Sequence, residues 1–298
     1  MAILIDLEPV KSLIAQPDTY AQVADNPGFS LYWRSMGRDP NQVAAGLAGT
    51  DAADRAAALD EAGQEAKSLL GCLARISGVS IEQLVLRHLP GDPFVDAQVV
   101  FVPGGDLVLA AEGNTVVINV FALEQQGNKL FLGEFPLLSL LANRIHQLYT
   151  KSLAPEQPVS SCAAAIRNFL LQLLRVGSAT LFFTLPVSGS VYKFWQQAEQ
   201  RRDGDVQLLR HYLRLAGGED KSPLVLIREM EQAFGLSGTA ALAAKYPLGT
   251  WMCQVIEGAF GRSYLVDLLL NPADFLEVFE QARRKFGLAD KYSLGSLA

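Results

Sequence analysis

The chain has 298 residues, half of them hydrophobic, and a formal net charge of −6 at pH 7. A chain of this length and composition buries roughly three quarters of the surface that its unfolded form exposes, so a sizeable core is expected. The acidic balance argues against a broad nucleic-acid interface, because phosphate binding depends on clustered lysine and arginine. The sequence also contains no run of the ~18 uninterrupted apolar residues that a membrane-spanning helix needs.

The start of the chain and its cysteines favour a cytoplasmic protein. The segment "MAILIDLEPVKS" reaches Asp6 and Glu8 before an apolar, signal-like core has formed, and it has no basic leader. Cys72, Cys162 and Cys253 lie far apart, each in an apolar helical pattern, which predicts buried free thiols and no disulfide. We therefore expect a cytoplasmic location.

The first 90 residues are predicted to be helical. Apolar residues recur at helical spacing in "EPVKSLIAQ", in "AADRAAALDEAGQEAKSLLGCLARI" and in "SIEQLVLRHL". His88 lies at the end of the last of these segments, where a protonated imidazole would suit the partial negative charge of a helix C-terminus. The prolines and the glycine of "LPGDPF" then end the helical pattern.

Two or three strands follow, and then the chain returns to helices. The segments "AQVVFVPGG" and "NTVVINVFAL" are rich in Val, Ile and Phe and too short for helices. A helix is predicted around "LANRIHQLYT", residues 141–150, and further helices continue almost to the end. The fold class is α+β and predominantly helical, with a small sheet. We expect a helical region at residues 1–90 that packs on a main domain at residues 91–298.

The order of these segments resembles a family of bacterial zinc-dependent peptidases of the gluzincin type. The resemblance covers about residues 85–285 and rests on "FVPGG…VVINVFAL", "LLANRIHQLY", "LLRVGSATLFF" and "LGTWMCQVIEGAFGRSYLVDLLLNPADFLEVFEQA". Its most specific part is the last stretch, in which Gly249, Met252, Ile256, Glu257, Gly261, Arg262, Pro272 and Phe275 follow the family pattern in order. These are mostly packing and turn residues, so the resemblance implies a zincin-like fold and leaves the chemistry open.

The residues that carry chemistry in that family are replaced here. A gluzincin has two histidines one helical turn apart, with a glutamate general base between them, and a third ligand from a later helix. The family pattern A-H-E-x-H-H places Asn143, Arg144 and Gln147 at the first His, the Glu and the second His. The pattern E-G-x-A places Val176 at the third ligand, followed by Gly177 and Ala179. We call Asn143, Arg144, Gln147 and Val176 the motif positions.

The motif positions predict that zinc and every other cofactor are absent. Asn and Gln are weak neutral donors, Arg144 adds a positive charge, and Val176 donates nothing. His146 faces a different direction from residues 143 and 147 on a helix and does not replace a ligand. Arg144 either forms an ion pair with Glu257 in place of the metal charge or points into solvent; the sequence leaves both open.

Two hypotheses for the function follow. In the first, the chain is an inactive zinc-peptidase-like protein, and its former active-site cleft, near Asn119, Phe121, His146 and Glu257, binds a peptide or small ligand. In the second, it is a hydrolase with a relocated, metal-independent polar site around Arg144 and Glu257. Neither hypothesis includes nucleic acid or a membrane as a partner, and the sequence makes no prediction of the oligomeric state.

Overall fold

The computed structural model describes residues 2–15, 22–43, 52–91, 96–185, 188–217, 222–234 and 247–295. This part of the chain is predominantly helical and contains two small sheets. The predicted fold class, a mainly helical α+β protein, is therefore confirmed. Contacts divide the chain into two units, one of residues 1–85 and 94–145 and one of residues 86–93 and 146–298. The boundary after residue 90 in the sequence analysis follows a change in composition, whereas this division follows contacts.

The first unit contains a mixed sheet whose strands follow the order β1-β2-β4-β3. The strands are β1 (Ala2–Asp6), β2 (Asp96–Val102), β3 (Leu109–Glu112) and β4 (Thr115–Asn119). β2 is parallel to both β1 and β4, while β3 is antiparallel to β4. The central strands are almost continuously apolar because both of their faces are covered, and Val99 to Val102 and Val116 to Ile118 are fully buried.

The strand predictions for "AQVVFVPGG" and "NTVVINVFAL" are confirmed by β2 and β4. The prediction that the first 90 residues are only helical is wrong at the start of the chain, because residues 2–6 form β1. The segment is too short to show its own periodicity. Its partner β2 begins at Asp96, opposite Ala2, so the pairing that defines the strand is not visible locally.

Four described helices lie between β1 and β2 along the chain. They are α1 (Glu8–Ala15), α2 (Pro27–Ser35), α3 (Ala52–Leu73) and α4 (Gly78–Leu86). The helices predicted from "EPVKSLIAQ", from the alanine-rich segment and from "SIEQLVLRHL" are confirmed by α1, α3 and α4. A second, antiparallel sheet follows with β5 (Leu123–Gln126), β6 (Lys129–Leu132) and β7 (Phe135–Pro136), ahead of the long helix α5 (Leu137–Leu153).

The second unit is a bundle of helices. It includes the last residues of α5, from His146 onward. The helices that follow are α6 (Cys162–Ala179), α7 (Gly189–Arg214), α8 (Pro223–Phe234), α9 (Pro247–Phe260), α10 (Arg262–Leu268) and α11 (Phe275–Lys285). A short π-helix, Thr180–Thr184, continues from α6. The core of the bundle includes Leu173, Met252, Ile256, Phe275 and Phe279, each almost or wholly inaccessible to solvent.

Helices α6 and α9 approach closely at a pair of glycines. A Cβ atom added to Gly177 would lie 2.5 Å from the carbonyl carbon and oxygen of Gly249. A Cβ atom added to Gly249 would in turn overlap the backbone of Leu173. Only glycine fits at both positions, because real Cβ atoms do not approach a backbone so closely.

Two further expectations can be compared with the structure. Cys72, Cys162 and Cys253 are free and buried, so the predicted buried thiols are confirmed. Within the described ranges, no one helix has both the length and the apolar character to cross a membrane. The bent pair Gly63–Leu73 and Gly78–Leu86, at 54° to each other, would satisfy that test by length and composition only.

Candidate functional site

Helix α5 carries three of the four motif positions. Its apolar residues recur at helical spacing, and Leu140, Leu141 and Ile145 are fully buried. Residues 143 and 147 are one turn apart and therefore lie on the same side of α5. Asn143 is fully buried, whereas Arg144 and Gln147 are half-buried. The helix predicted at residues 141–150 is thus present, with an uncharged amide at each position expected to hold a histidine.

The chemistry of these side chains does not fit a zinc ion. Removal of the Arg144 guanidinium from water lowers its pKa to about 10, so it still carries its positive charge at neutral pH. A fixed cation between two amides repels a divalent metal. Across the described ranges, no group of three or more His, Cys, Asp or Glu side chains is arranged to hold a metal ion. No catalytic step through zinc can be derived from these residues.

Val176 lies in the last turn of α6, in the second unit, and packs against the helical core. The two residues that agree with the family pattern after it have a packing role. Gly177 allows the close approach of α9, and Ala179 is fully buried. Val176 therefore supplies no metal ligand, while the small residues after it serve the packing of α6.

The second unit brings two histidines into one apolar cluster with two phenylalanines. The imidazole of His88 stacks on the ring of Phe182, with the ring centres 4.5 Å apart, and meets Phe183 edge-on at 5.2 Å. His146 contacts the same two rings edge-on, with 5.6 Å between ring centres in each case. We call His88, His146, Phe182 and Phe183 the aromatic–histidine cluster.

Burial favours the neutral form of both imidazoles. His146 Nε2 lies 3.1 Å from the backbone oxygen of His88, so Nε2 carries the proton and donates it. The pKa of His146 is lowered to about 3, mainly by burial; the hydrogen bond to the His88 backbone acts upward, and the nearby His88 imidazole adds a smaller downward effect. Burial, and then the charge of Arg262, lowers the pKa of His88 as well. The expectation of a protonated His88 at a helix end is therefore not supported.

The two phenylalanines of the cluster lie in the π-helix. This segment, Thr180–Thr184, follows α6 without a break, and its wider turns bring both Phe182 and Phe183 against the histidines. Single π-helical turns are rare and occur frequently at functional sites. Neither phenylalanine was predicted from the sequence as a site residue, although the doublet "FF" two residues after the E-G-x-A-like segment was a visible signal.

Glu257 on α9 is engaged in an ion pair with Arg262. Arg262 Nε donates to Glu257 Oε1 at 2.5 Å, and the guanidinium lies 5.5 Å from the centre of the Phe182 ring. Gly261 between them has a φ of 91°, in the left-handed region that favours glycine, and begins α10. The family-like sequence G-R therefore positions an arginine beside the aromatic–histidine cluster. The pairing of Arg144 with Glu257 stays a prediction.

In the first unit, Asn119 and Phe121 lie at the end of β4. Asn119 is buried; its side-chain amide donates to the oxygen of Gly105 at 2.9 Å and its side-chain oxygen accepts from the N–H of Phe121 at 3.0 Å. Asn119 thus caps the short 3₁₀ helix Val120–Ala122 and holds the preceding loop. Phe121 is half-buried.

The structure brings the predicted residues together in two separate sets. Asn119 and Phe121 are joined by a hydrogen bond in the first unit. In the second unit, His146 and Glu257 are linked through Phe182, which contacts His146 and lies beneath Arg262. His88, Phe182, Phe183 and Arg262 are the site residues that the sequence analysis did not assign.

Comparison with known proteins supports the family suggested by the motifs. A family model described as "Putative zinc dependent peptidase (DUF5700)" matches residues 59–286, which is most of the chain. The matched range includes all four motif positions and the stretch from Gly249 to Phe275. Comparison with the curated proteins gives no match, and neither does comparison with solved structures. The chain therefore belongs to the family described as "Putative zinc dependent peptidase (DUF5700)".

Proposed function

We propose that this protein is a non-catalytic member of its peptidase family, and that its former active-site cleft binds a peptide or a small ligand. The observation that carries the proposal is the set of side chains at the motif positions. An intact helix α5 presents Asn143, Arg144 and Gln147 where two histidines and a glutamate are expected, and Val176 replaces the third ligand. Zincin chemistry needs a polarised water and a carboxylate base, and these residues supply neither.

The kind of molecule expected to bind follows from the side chains that such a cleft contains in the absence of metal-binding residues. Phe121 offers half-buried apolar surface, and Arg144 offers a guanidinium that can bind a carboxylate or a carbonyl. A peptide has both kinds of group. We therefore expect a peptide or small carbonyl-containing molecule to bind and to be released unchanged, and we expect neither nucleic acid nor a membrane to be a partner.

The alternative function is a hydrolase with a metal-independent site around Arg144 and Glu257. Such a site needs a carboxylate that is free to act as a base. The carboxylate of Glu257 already accepts a hydrogen bond from Arg262 in an ion pair that is partly shielded from solvent. No observation in the described ranges favours this alternative over the first proposal.

Metal content and thermal stability test the proposal. We expect purified, tag-free protein to contain no stoichiometric zinc by mass spectrometry. Adding zinc or a chelator should move the melting temperature by less than about 1 °C, because a ligand stabilises only a fold that binds it. A mixed pool of short peptides should remain intact after incubation with the protein. About one zinc ion per chain, with a melting temperature that falls by several degrees in chelator, would contradict the proposal.

A further inference from the structure

The second unit contains a pocket between α7 and α9 that is separate from the motif positions. Its volume is about 170 Å³, and its lining includes Tyr192, Trp195, Glu199, Arg202, Asp205 and Trp251. We call it the tryptophan pocket. A water molecule occupies about 30 Å³ of the liquid, so the pocket has room for one amine-bearing side chain or a molecule of similar size.

Aromatic rings form much of the wall. Tyr192 is 38% exposed, whereas Trp195 and Trp251 are each only 8% exposed. The guanidinium of Arg202 lies 5.0 Å from the centre of the Trp251 ring, and its Nη2 lies 3.4 Å from Glu199 Oε1. The charge of Arg202 is therefore already compensated by a carboxylate and by the face of an aromatic ring. A second anion has little to gain from this arginine.

Asp205 differs from Glu199 in making no direct ion pair with a described residue. It is half-buried in the pocket lining, and no hydrogen bond or ion pair joins it to another residue in the described ranges. Burial raises its pKa, although the charges of Arg201 and Arg202 act in the opposite direction. The two arginines act on Asp205 without a direct contact, and a partly desolvated carboxylate is most stable when it is directly paired.

We propose that the tryptophan pocket binds an organic ammonium group, with the carboxylate of Asp205 as its counter-ion and the aromatic rings around its alkyl part. A carboxylate beside tyrosine and tryptophan rings is an arrangement that attracts organic cations. A hard metal ion would need several oxygen ligands, whereas Glu199, the other carboxylate of the pocket lining in the described ranges, is already paired with Arg202. This inference does not rest on the proposed function, because it involves none of the motif positions.

The test is calorimetric titration of the full chain with n-pentylamine and, separately, with 1-pentanol. The two molecules have the same shape, and only the amine is charged at neutral pH. We expect the amine to bind saturably with a Kd on the order of 1 mM, typical of so small a ligand, and the alcohol to bind about tenfold more weakly or not at all. Equal binding of both, or no saturable binding of the amine, would overturn the proposal.

Matched variants locate the binding. Asp205→Asn keeps the side-chain shape and should weaken amine binding about tenfold or more. Asp203→Asn removes the same charge from an exposed position on the same helix, where Asp203 pairs with Lys291, and should leave binding unchanged. If both variants weaken amine binding equally, then binding depends only on the net charge of the protein, and the proposed site at Asp205 is wrong. Melting curves establish that each variant is folded.

A third variant tests the aromatic wall, and a second probe tests the source of the amine. Tyr192→Ala alters a partly exposed ring, so the fold should tolerate it, while amine binding should weaken several-fold. Unchanged binding would contradict the aromatic contribution.

A lysine residue capped at both ends presents the same ammonium group on a peptide-like backbone. Tighter binding of capped lysine than of pentylamine identifies a polypeptide side chain as the ligand; tighter binding of pentylamine identifies a free amine. Both outcomes support the ammonium site.

Discussion

Replacing Gly177 by alanine is expected to lower the free energy of unfolding by about 3 kcal/mol, the upper part of the usual range for overpacking. The added Cβ would lie 2.5 Å from the backbone of Gly249 on the facing helix. A backbone cannot rotate away as a flexible side chain can, so α6 and α9 would have to separate. Urea titration of the purified variant measures the change in the free energy of unfolding.

Gly204→Ala is the matched control. Gly204 also lies inside a helix of the second unit, in α7, and a Cβ atom there would meet no atom within 4 Å. This substitution should raise the free energy of unfolding by about 0.5–1 kcal/mol, because alanine loses less conformational entropy on folding than glycine. If Gly177→Ala proves as harmless as Gly204→Ala, then α6 and α9 do not meet at Gly177.

The aromatic–histidine cluster is expected to make stability depend on pH through His146. Its pKa falls from 6.5 to about 3 on folding, so the unfolded chain binds a proton more readily than the folded one. The stability from this neutral, buried imidazole is fully present above pH 6.5 and is lost as the pH falls towards 3. Between pH 6.5 and pH 5 the loss amounts to about 2 kcal/mol. His88, whose pKa is also lowered, contributes in the same direction.

Urea titrations at both pH values, on the wild type and on His146→Phe, test this effect. Phenylalanine keeps an aromatic ring beside Phe182 and Phe183 but cannot titrate. Its loss of the hydrogen bond to the His88 backbone oxygen should cost about 1 kcal/mol at both pH values. The difference between the two pH values should shrink by about 2 kcal/mol. His211→Gln, which removes an exposed imidazole, should leave the difference unchanged. An unchanged difference in His146→Phe would contradict the buried neutral histidine.

The parts of the fold that were predictable from the sequence depend on neighbours close along the chain. Helices α1, α3, α4 and α5 show their apolar faces at helical spacing, and β2 and β4 are short runs of β-branched residues between turns. β1 was missed because its identity depends on pairing with β2, whose residues lie far along the chain. Local patterns carry no information about such a partner.

The same limit applies to the candidate site. The motif positions could be found because each family motif has fixed local spacing. Arg144 and Val176 differ from the residues expected at their positions in these motifs. The contact of His88 with Phe182 joins residues from distant segments, so no spacing rule predicts it. The π-helix was missed for a different reason. "TLFFT" continues the apolar pattern of α6, and a change from α-helical to π-helical turns leaves no mark in that pattern.

Together these observations describe a predominantly helical α+β protein in which the glycines needed for packing follow the family pattern and the residues at the motif positions do not. Gly177, Gly249 and Gly261 occupy positions where only glycine fits or where a left-handed backbone is needed. Asn143, Arg144, Gln147 and Val176 do not form a zinc-binding set, although Asn143 is fully buried and Val176 packs against the helical core. We propose that these four residues occupy the positions of a zinc site and that only their side chains differ from a zinc-binding set.

Restoring the expected ligands tests that claim most directly. The variant Asn143→His, Arg144→Glu, Gln147→His and Val176→Glu carries a complete gluzincin set at the motif positions. A control uses the native His146 with Gln147→Glu, Thr150→His and Val176→Glu, which moves the same helical motif three residues along α5. After zinc loading and gel filtration, mass spectrometry should find about one zinc ion per chain in the restored variant and none in the control. No zinc in a folded restored variant, or equal zinc in both, would contradict the account.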